Sequence, residues 1–199
     1  MTNAVIRVGD GRGFIIKEEA VGWRHLVVTA AHCLPSFPPA HAFSYLEQRT
    51  YRELLGPLGG DNTVWAECLF ADPIADVAVL GSPDNQELSD EADKYDALVD
   101  AVEPLEIVPA PEEGRGRLLS LDGQWFECLV RHFGGGLCLF ECKQPIVGGM
   151  SGSPVRNENG AAIGVVSIGS NAPQFGEGPN PNLARDLPAK FLPSTGGRS

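Results

Sequence analysis

No apolar run in this chain approaches the roughly 18 residues that a membrane-crossing helix requires, so no such helix is expected. The opening segment, Met1 to Arg7, has no basic flank followed by an apolar stretch, so no secretory leader is expected either. Basic residues are scarce. Fifteen Lys and Arg face 26 Asp and Glu over 199 residues, a formal charge of −11. That balance argues against nucleic-acid or anionic-membrane partners, both of which need a cationic face. Cysteine is sparse and odd in number: five, with no C-x-x-C pair and no Cys/His zinc spacing. Reduced thiols in a cytoplasmic setting are the simplest reading. Neither a metal nor a cofactor is expected.

Glycine (24) and proline (16) are plentiful, and the periodic segments between them are short, which predicts many strands and turns. Strands are expected at Ala4 to Val8, Phe14 to Lys17, Leu26 to Ala30, Val64 to Leu69 and Val77 to Leu80. The second half repeats the style with Leu118 to Leu121, Trp125 to His132, Leu137 to Glu141, Pro154 to Arg156 and Ala162 to Ile168. Asp122-Gly123 and Asn159-Gly160 are hairpin signals, and Gly134-Gly135-Gly136 is a turn. Between the halves, Leu88, Ala92, Tyr95, Val99 and Val102 follow the helical period, bracketed by Pro83 and Pro104. Residues Asp84 to Glu103 hold eight acidic residues against one lysine, a net of −7. A solvated linker helix with one buried stripe is the expectation, and a docking helix for a regulatory partner is the alternative. A second short helix is expected around Ala184 to Leu192. Ser194 to Ser199 reads as a tail or a lead into a fused module.

Four segments carry the chemistry. They are Thr29-Ala30-Ala31-His32-Cys33, Asp72-Pro73-Ile74-Ala75-Asp76-Val77-Ala78-Val79-Leu80, Gly148-Gly149-Met150-Ser151-Gly152-Ser153-Pro154-Val155, and Val165-Val166-Ser167-Ile168-Gly169. Acyl transfer needs this set. A serine hydroxyl is a weak nucleophile near neutral pH and needs a general base, and an imidazole suits that task. A carboxylate holds the imidazole tautomer and stabilises the imidazolium. The oxyanion of the tetrahedral intermediate needs backbone N–H donors, for which Gly149 and Ser151 are placed. His25, His41 and His132 are expected to be ordinary surface or core histidines. An α/β-hydrolase is disfavoured: position 153 is serine, which breaks G-x-S-x-G, and the histidine comes first in chain order.

These motifs resemble the trypsin-like serine proteases of the chymotrypsin fold, in the style of the short bacterial and HtrA-type peptidase domains, from about Val5 to Leu192. Thr29 to Cys33 resembles the family's histidine motif, Asp76 to Leu80 its aspartate strand, and Gly149 to Val155 its serine motif. Gly11-Arg12-Gly13-Phe14 resembles the turn that opens the second strand of bacterial members. The resemblance implies an all-β fold of two six-stranded antiparallel barrels with the acidic linker helix and a short C-terminal helix. Residues 1–83 would form the first barrel, carrying His32 and Asp76, with the linker at 84–103. Residues 104–193 would form the second barrel, carrying Ser151, and 194–199 the tail. The implied activity is that of a serine endopeptidase acting through His32, Asp76 and Ser151, a dedicated processing or regulatory protease of a bacterial-type cell. A catalytically silent peptide-binding module of the same fold is the alternative. Pro145 and Ile146 would form one wall of the substrate pocket, and Ser167, Ile168 and Gly169 the facing edge. Partners are then a protein or peptide substrate, with a regulatory protein or fused module in addition. Met150 stands where zymogen-type members carry Asp. Cys33 lacks the disulfide partner that secreted relatives place on the strand near Ile16.

Overall fold

The computed structural model describes residues 4–18, 24–39, 49–133, 136–167, 177–180 and 182–192. Twelve strands dominate these residues. β1 (Val5–Val8), β2 (Gly11–Glu18), β3 (Arg24–Thr29), β4 (Thr50–Gly56), β5 (Val64–Asp72) and β6 (Val77–Gly81) form a closed barrel in the order β1-β2-β3-β6-β5-β4. The central strands are apolar on both faces because both faces are covered. Alternation along them sorts residues into two cores. Ile15, Val27, Ala78 and Leu80 point into the barrel. Phe14, Ile16, Leu26, Val28, Val77 and Val79 point outward, where they meet Ile107, Leu119, Ala162, Val165, Leu183, Leu187 and Phe191 from the second half. The two halves therefore share an apolar core.

The second half contains β7 (Glu113–Leu119), β8 (Trp125–Phe133), β9 (Gly136–Phe140), β10 (Pro154–Arg156), β11 (Ala162–Val165) and β12 (Glu177–Asn180). Their order is β11-β10-β7-β8-β9-β12. This is the expected all-β, chymotrypsin-like architecture, with one refinement. The second unit is a half-barrel: among the described residues its outer strands β11 and β12 do not pair, and Gly164 of β11 bridges instead to Asn182, just past β12. β11 and β12 are four residues each, so few backbone groups are available to close that seam. The Asp122-Gly123 and Asn159-Gly160 turns form as expected, with Gly123 at φ +82 and Gly160 at φ +91. The turn before β2 sits at Gly9-Asp10, and Gly11 to Phe14 are already strand. Gly134-Gly135 and His41 lie outside the described residues.

The acidic segment forms α1 (Ser89–Asp100). Asn85 starts it by accepting from the Glu87 N–H, which orders the 3₁₀ turn Gln86–Leu88. Tyr95 and Val99 are buried against the first barrel, and Leu98 and Val102 pack beside them. The Tyr95 hydroxyl donates to the carbonyl of Leu80 (3.1 Å) and lies 3.2 Å from that of His25. The acidic face remains in solvent. The C-terminal region contains α2 (Leu183–Asp186) and a 3₁₀ turn at Ala189–Phe191, which seats Phe191 in the shared core.

No disulfide joins any of the five cysteines. The position facing the Cys33 sulfur is Gly11 rather than one near Ile16: a Cβ built on Gly11 would lie 2.6 Å from Sγ. Burial pushes the Cys33 and Cys68 thiols up to about 11. Such thiols remain protonated in the folded chain at pH values where an unfolded chain, with thiols near 9.0, ionises. Their contribution to stability is present below about pH 9 and is lost as pH rises towards about 11. The urea midpoint is therefore expected to fall over that window. In the Cys33→Ala, Cys68→Ala double variant the fall should be shallower; an unchanged slope would remove these thiols as the cause.

Candidate active site

Antiparallel pairing of β3 with β6 matches Val27 to Leu80 and Thr29 to Ala78. The end of β3 therefore lies beside the start of β6. His32 follows β3 in the turn Ala31–Cys33, and Asp76 immediately precedes β6. Asp72 shapes the approach: its Oδ1 accepts from the N–H groups of Ile74 (2.8 Å) and Ala75 (3.0 Å), an Asx turn. Asp76 adopts φ +53, a left-handed conformation that aspartate tolerates better than most residues. Its Oδ1 accepts from the His32 backbone N–H (2.9 Å), and its Oδ2 lies 2.7 Å from His32 Nδ1. The carboxylate thus grips both the main chain and the ring of His32. The other ring nitrogen is on a side chain nearly half exposed.

Ser151 arrives from the second half, in the turn between β9 and β10. Gly149 (φ +87) and Gly152 (φ +80) adopt conformations open to glycine at little cost. The Ser151 carbonyl accepts from the Arg12 N–H at 2.7 Å, which docks the turn on the start of β2. β2 pairs Gly13 with Thr29, so the same contact brings Ser151 to the His32 end of β3. Gly11 is small for a reason: a Cβ there would meet Cys33 Sγ at 2.6 Å and the Ser151 carbonyl at 2.7 Å. Met150 is buried in the second core, and its sulfur lies 3.4 Å from the Val147 N. Apolar packing thus anchors the turn where a charge pair would do so in zymogen-type relatives. Among the described residues, the N–H groups of Gly149 and Ser151 donate to no protein acceptor.

Ser167 joins the two halves of the constellation. Its hydroxyl donates to Asp76 Oδ2, and its carbonyl accepts from Ser151 Oγ at 3.3 Å. Ser151 Oγ therefore turns to the Ser167 carbonyl in this state.

A trypsin-like peptidase domain matches residues 11–165 of the chain. The chain belongs to the trypsin-like peptidases. Many solved structures share its fold, two proteases among them. One is the Rv3671c protease in an inactive form (19% identity, TM-score 0.53, 96% of this chain and 89% of that one). The other is the apo MamO protease domain from Magnetospirillum magneticum (15% identity, TM-score 0.50, 94% of this chain and 97% of that one). No curated protein sequence gives a significant match.

In this trypsin-like peptidase the remaining candidate residues fall into three groups. Pro145 is exposed. Ile146 is only 1% exposed and packs into the second core with Met150 and Val155, leaving almost no side-chain surface for a ligand. Ser167 is buried at the site, and Ile168 and Gly169 lie outside the described residues. Sequence reading named Ser167 as a substrate-edge residue but missed its hydroxyl bond to Asp76. It also missed the Asx turn at Asp72 and the docking of Ser151 on Arg12. The Asp72 turn had a local signal, Asp-Pro-x-x-Asp. The other two are long-range contacts with none.

Proposed function

We propose that this peptidase domain is a serine endopeptidase that works through an acyl-enzyme, with Ser151 as nucleophile, His32 as base and then acid, and Asp76 as the group that orients His32. The observation that carries the reading is the Asp76 carboxylate, which binds the His32 backbone, the His32 ring and the Ser167 hydroxyl together. With Nδ1–H held by Asp76, Nε2 presents its lone pair as the base. Ser151 Oγ turns from the Ser167 carbonyl to His32, gives up its proton, and bonds to the scissile carbonyl carbon. The oxyanion faces the N–H groups of Gly149 and Ser151. His32 then protonates the leaving amine as the C–N bond breaks, and a water repeats the sequence on the acyl-enzyme.

The Ser151–Ser167 hydrogen bond favours one other reading, a silent peptide-binding module. A fluorophosphonate probe separates them. Wild type should be labelled on Ser151, and labelling should vanish in Ser151→Ala and His32→Ala. A folded wild-type protein that takes no label would sink the hydrolase reading.

Pro145, Val147 and Gly148, on the stretch leading into the oxyanion turn, carry no charge, while Ile146 between them turns into the core. A substrate Lys or Arg buried there without a carboxylate would face a desolvation cost of several kcal/mol. Cleavage after Ala, Val, Leu or Met is expected when a peptide library is profiled; dominant cleavage after Arg or Lys would overturn the apolar pocket. Cysteines outside any disulfide suit a reducing compartment, and a processing or regulatory role in a bacterial-type cytoplasm is the reading that fits.

A further inference from the structure

Arg12 is 4% exposed. A buried guanidinium usually finds a carboxylate, because an uncompensated charge in a core is costly. Among the described residues Arg12 has none. Its NH1 instead donates to the Leu119 carbonyl at 2.7 Å, and its NH2 to the Ser120 carbonyl at 3.0 Å. Burial lowers its pKa. Two charge-assisted donors directed at two adjacent carbonyls form a clamp with a defined direction.

The clamp joins three parts of the molecule. Arg12 belongs to β2 of the first barrel, and its backbone N–H holds the Ser151 carbonyl. Its own carbonyl accepts from Thr29 Oγ1 at 2.7 Å, at the end of the strand that delivers His32. Its side chain holds the end of β7 in the second half. From there the β7–β8 hairpin is internally braced. The Ser120 hydroxyl contacts Asp122 and donates to the Gln124 carbonyl (2.8 Å), while the Gln124 N–H donates to Ser120 Oγ (3.0 Å). The hairpin carries Leu121, whose Cδ2 lies 3.6 Å from the position a Gly149 Cβ would take. Arg12 is thus connected to the oxyanion turn from two sides, through Ser151 and through Leu121.

We propose that Arg12 is a positioning residue of the active site, whose guanidinium sets the β7–β8 hairpin against Gly149 and so holds the oxyanion turn in register with His32. This rests on the hydrolase reading for its kinetic consequence, but the contact with the turn is independent of it.

The test compares wild type with Arg12→Met and Arg12→Lys. In Arg12→Met, kcat on a peptide substrate should fall by about 10- to 100-fold with KM within about two-fold, because the loss is in oxyanion stabilisation. Affinity for a peptide boronate, which forms a tetrahedral adduct on serine, should fall in parallel. Arg12→Lys should recover part of both, since an ammonium reaches one carbonyl. The amide resonances of Gly149 and Ser151 in unliganded protein should shift in the same order, Met more than Lys. A purely structural role would lower the unfolding midpoint without moving the boronate affinity or these amides in the folded protein. Wild-type kcat and boronate affinity with unshifted amides would overturn the proposal. If Arg12→Met does not fold, Arg12→Lys decides by the same readings. If wild type shows no Ser151-dependent turnover, the hydrolase reading fails and the two amides alone judge the clamp.

Discussion

Ser151→Ala and His32→Ala should each lower kcat for peptide hydrolysis by up to about a million-fold, and the double variant should be no worse than either single one. In the proposed mechanism the nucleophile and its base act as one unit, so removing either would leave only substrate binding and the oxyanion donors. Asp76→Asn should cost about ten-thousand-fold. An amide nitrogen facing His32 Nδ1 favours the wrong tautomer, with the proton on Nε2 and no lone pair for Ser151. The backbone bond from His32 N to Oδ1 at 2.9 Å can persist in that variant, so the loss should appear without a matching loss of fold. Ser167→Ala removes one donor to the Asp76 carboxylate and should cost about ten-fold. Single-turnover kinetics with a chromogenic ester would measure all four. Undiminished hydrolysis in Ser151→Ala would refute the assignment. Ser153 offers no rescue as the nucleophile, because it is fully buried.

The legible parts of this fold are those in which local sequence and long-range packing agree. β3 and β6 read as strands because both of their faces are buried, which produces unbroken Leu, Val and Ala runs. His32 and Asp76 were legible because they lie at the ends of those two runs. β4 was not read. Its sequence, Thr50-Tyr51-Arg52-Glu53-Leu54-Leu55-Gly56, breaks the alternation of a strand, and the structure gives the reason. Glu53 adopts φ +50 and the register with β5 shifts between Tyr51 and Leu55, so Leu54 and Leu55 are both buried. β12 was unread for the opposite reason. Glu177-Gly178-Pro179-Asn180 has no strand former, and only its pairing with β9 makes it a strand.

The same division explains what was missed in the site. Catalytic side chains advertise themselves by type and spacing. The bond that seats Ser151 on the first half runs between main-chain atoms, which every residue carries. This Arg12 N to Ser151 O contact, at 2.7 Å, leaves little mark in the sequence except as a glycine where no side chain fits.

Gly152 is the sharpest such mark, and Gly152→Ala should be the most damaging small substitution outside the triad. A methyl group there would lie 1.8 Å from the Arg12 carbonyl oxygen and 2.6 Å from Thr29 Oγ1. The first neighbour is backbone and cannot rotate away. The φ of +80 adds a conformational cost that any L side chain would bear. Strain of about 1 to 3 kcal/mol and overpacking of about 1 to 3 kcal/mol combine to a destabilisation of about 2 to 6 kcal/mol. Relief requires the Ser151 turn to move off β2 by about 1 Å, and a misplacement of that size costs about a hundred-fold in rate. Gly148→Ala is the control. It lies four residues away, has no atom within 4 Å of its would-be Cβ, and should leave the unfolding midpoint nearly unchanged. Urea unfolding of both variants, together with the acylation rate of the folded fraction, measures the two effects separately. If Gly152→Ala matched wild type in both, the close seating of the nucleophile turn on Arg12 would be wrong, and with it the account of how this chain brings Ser151 to His32.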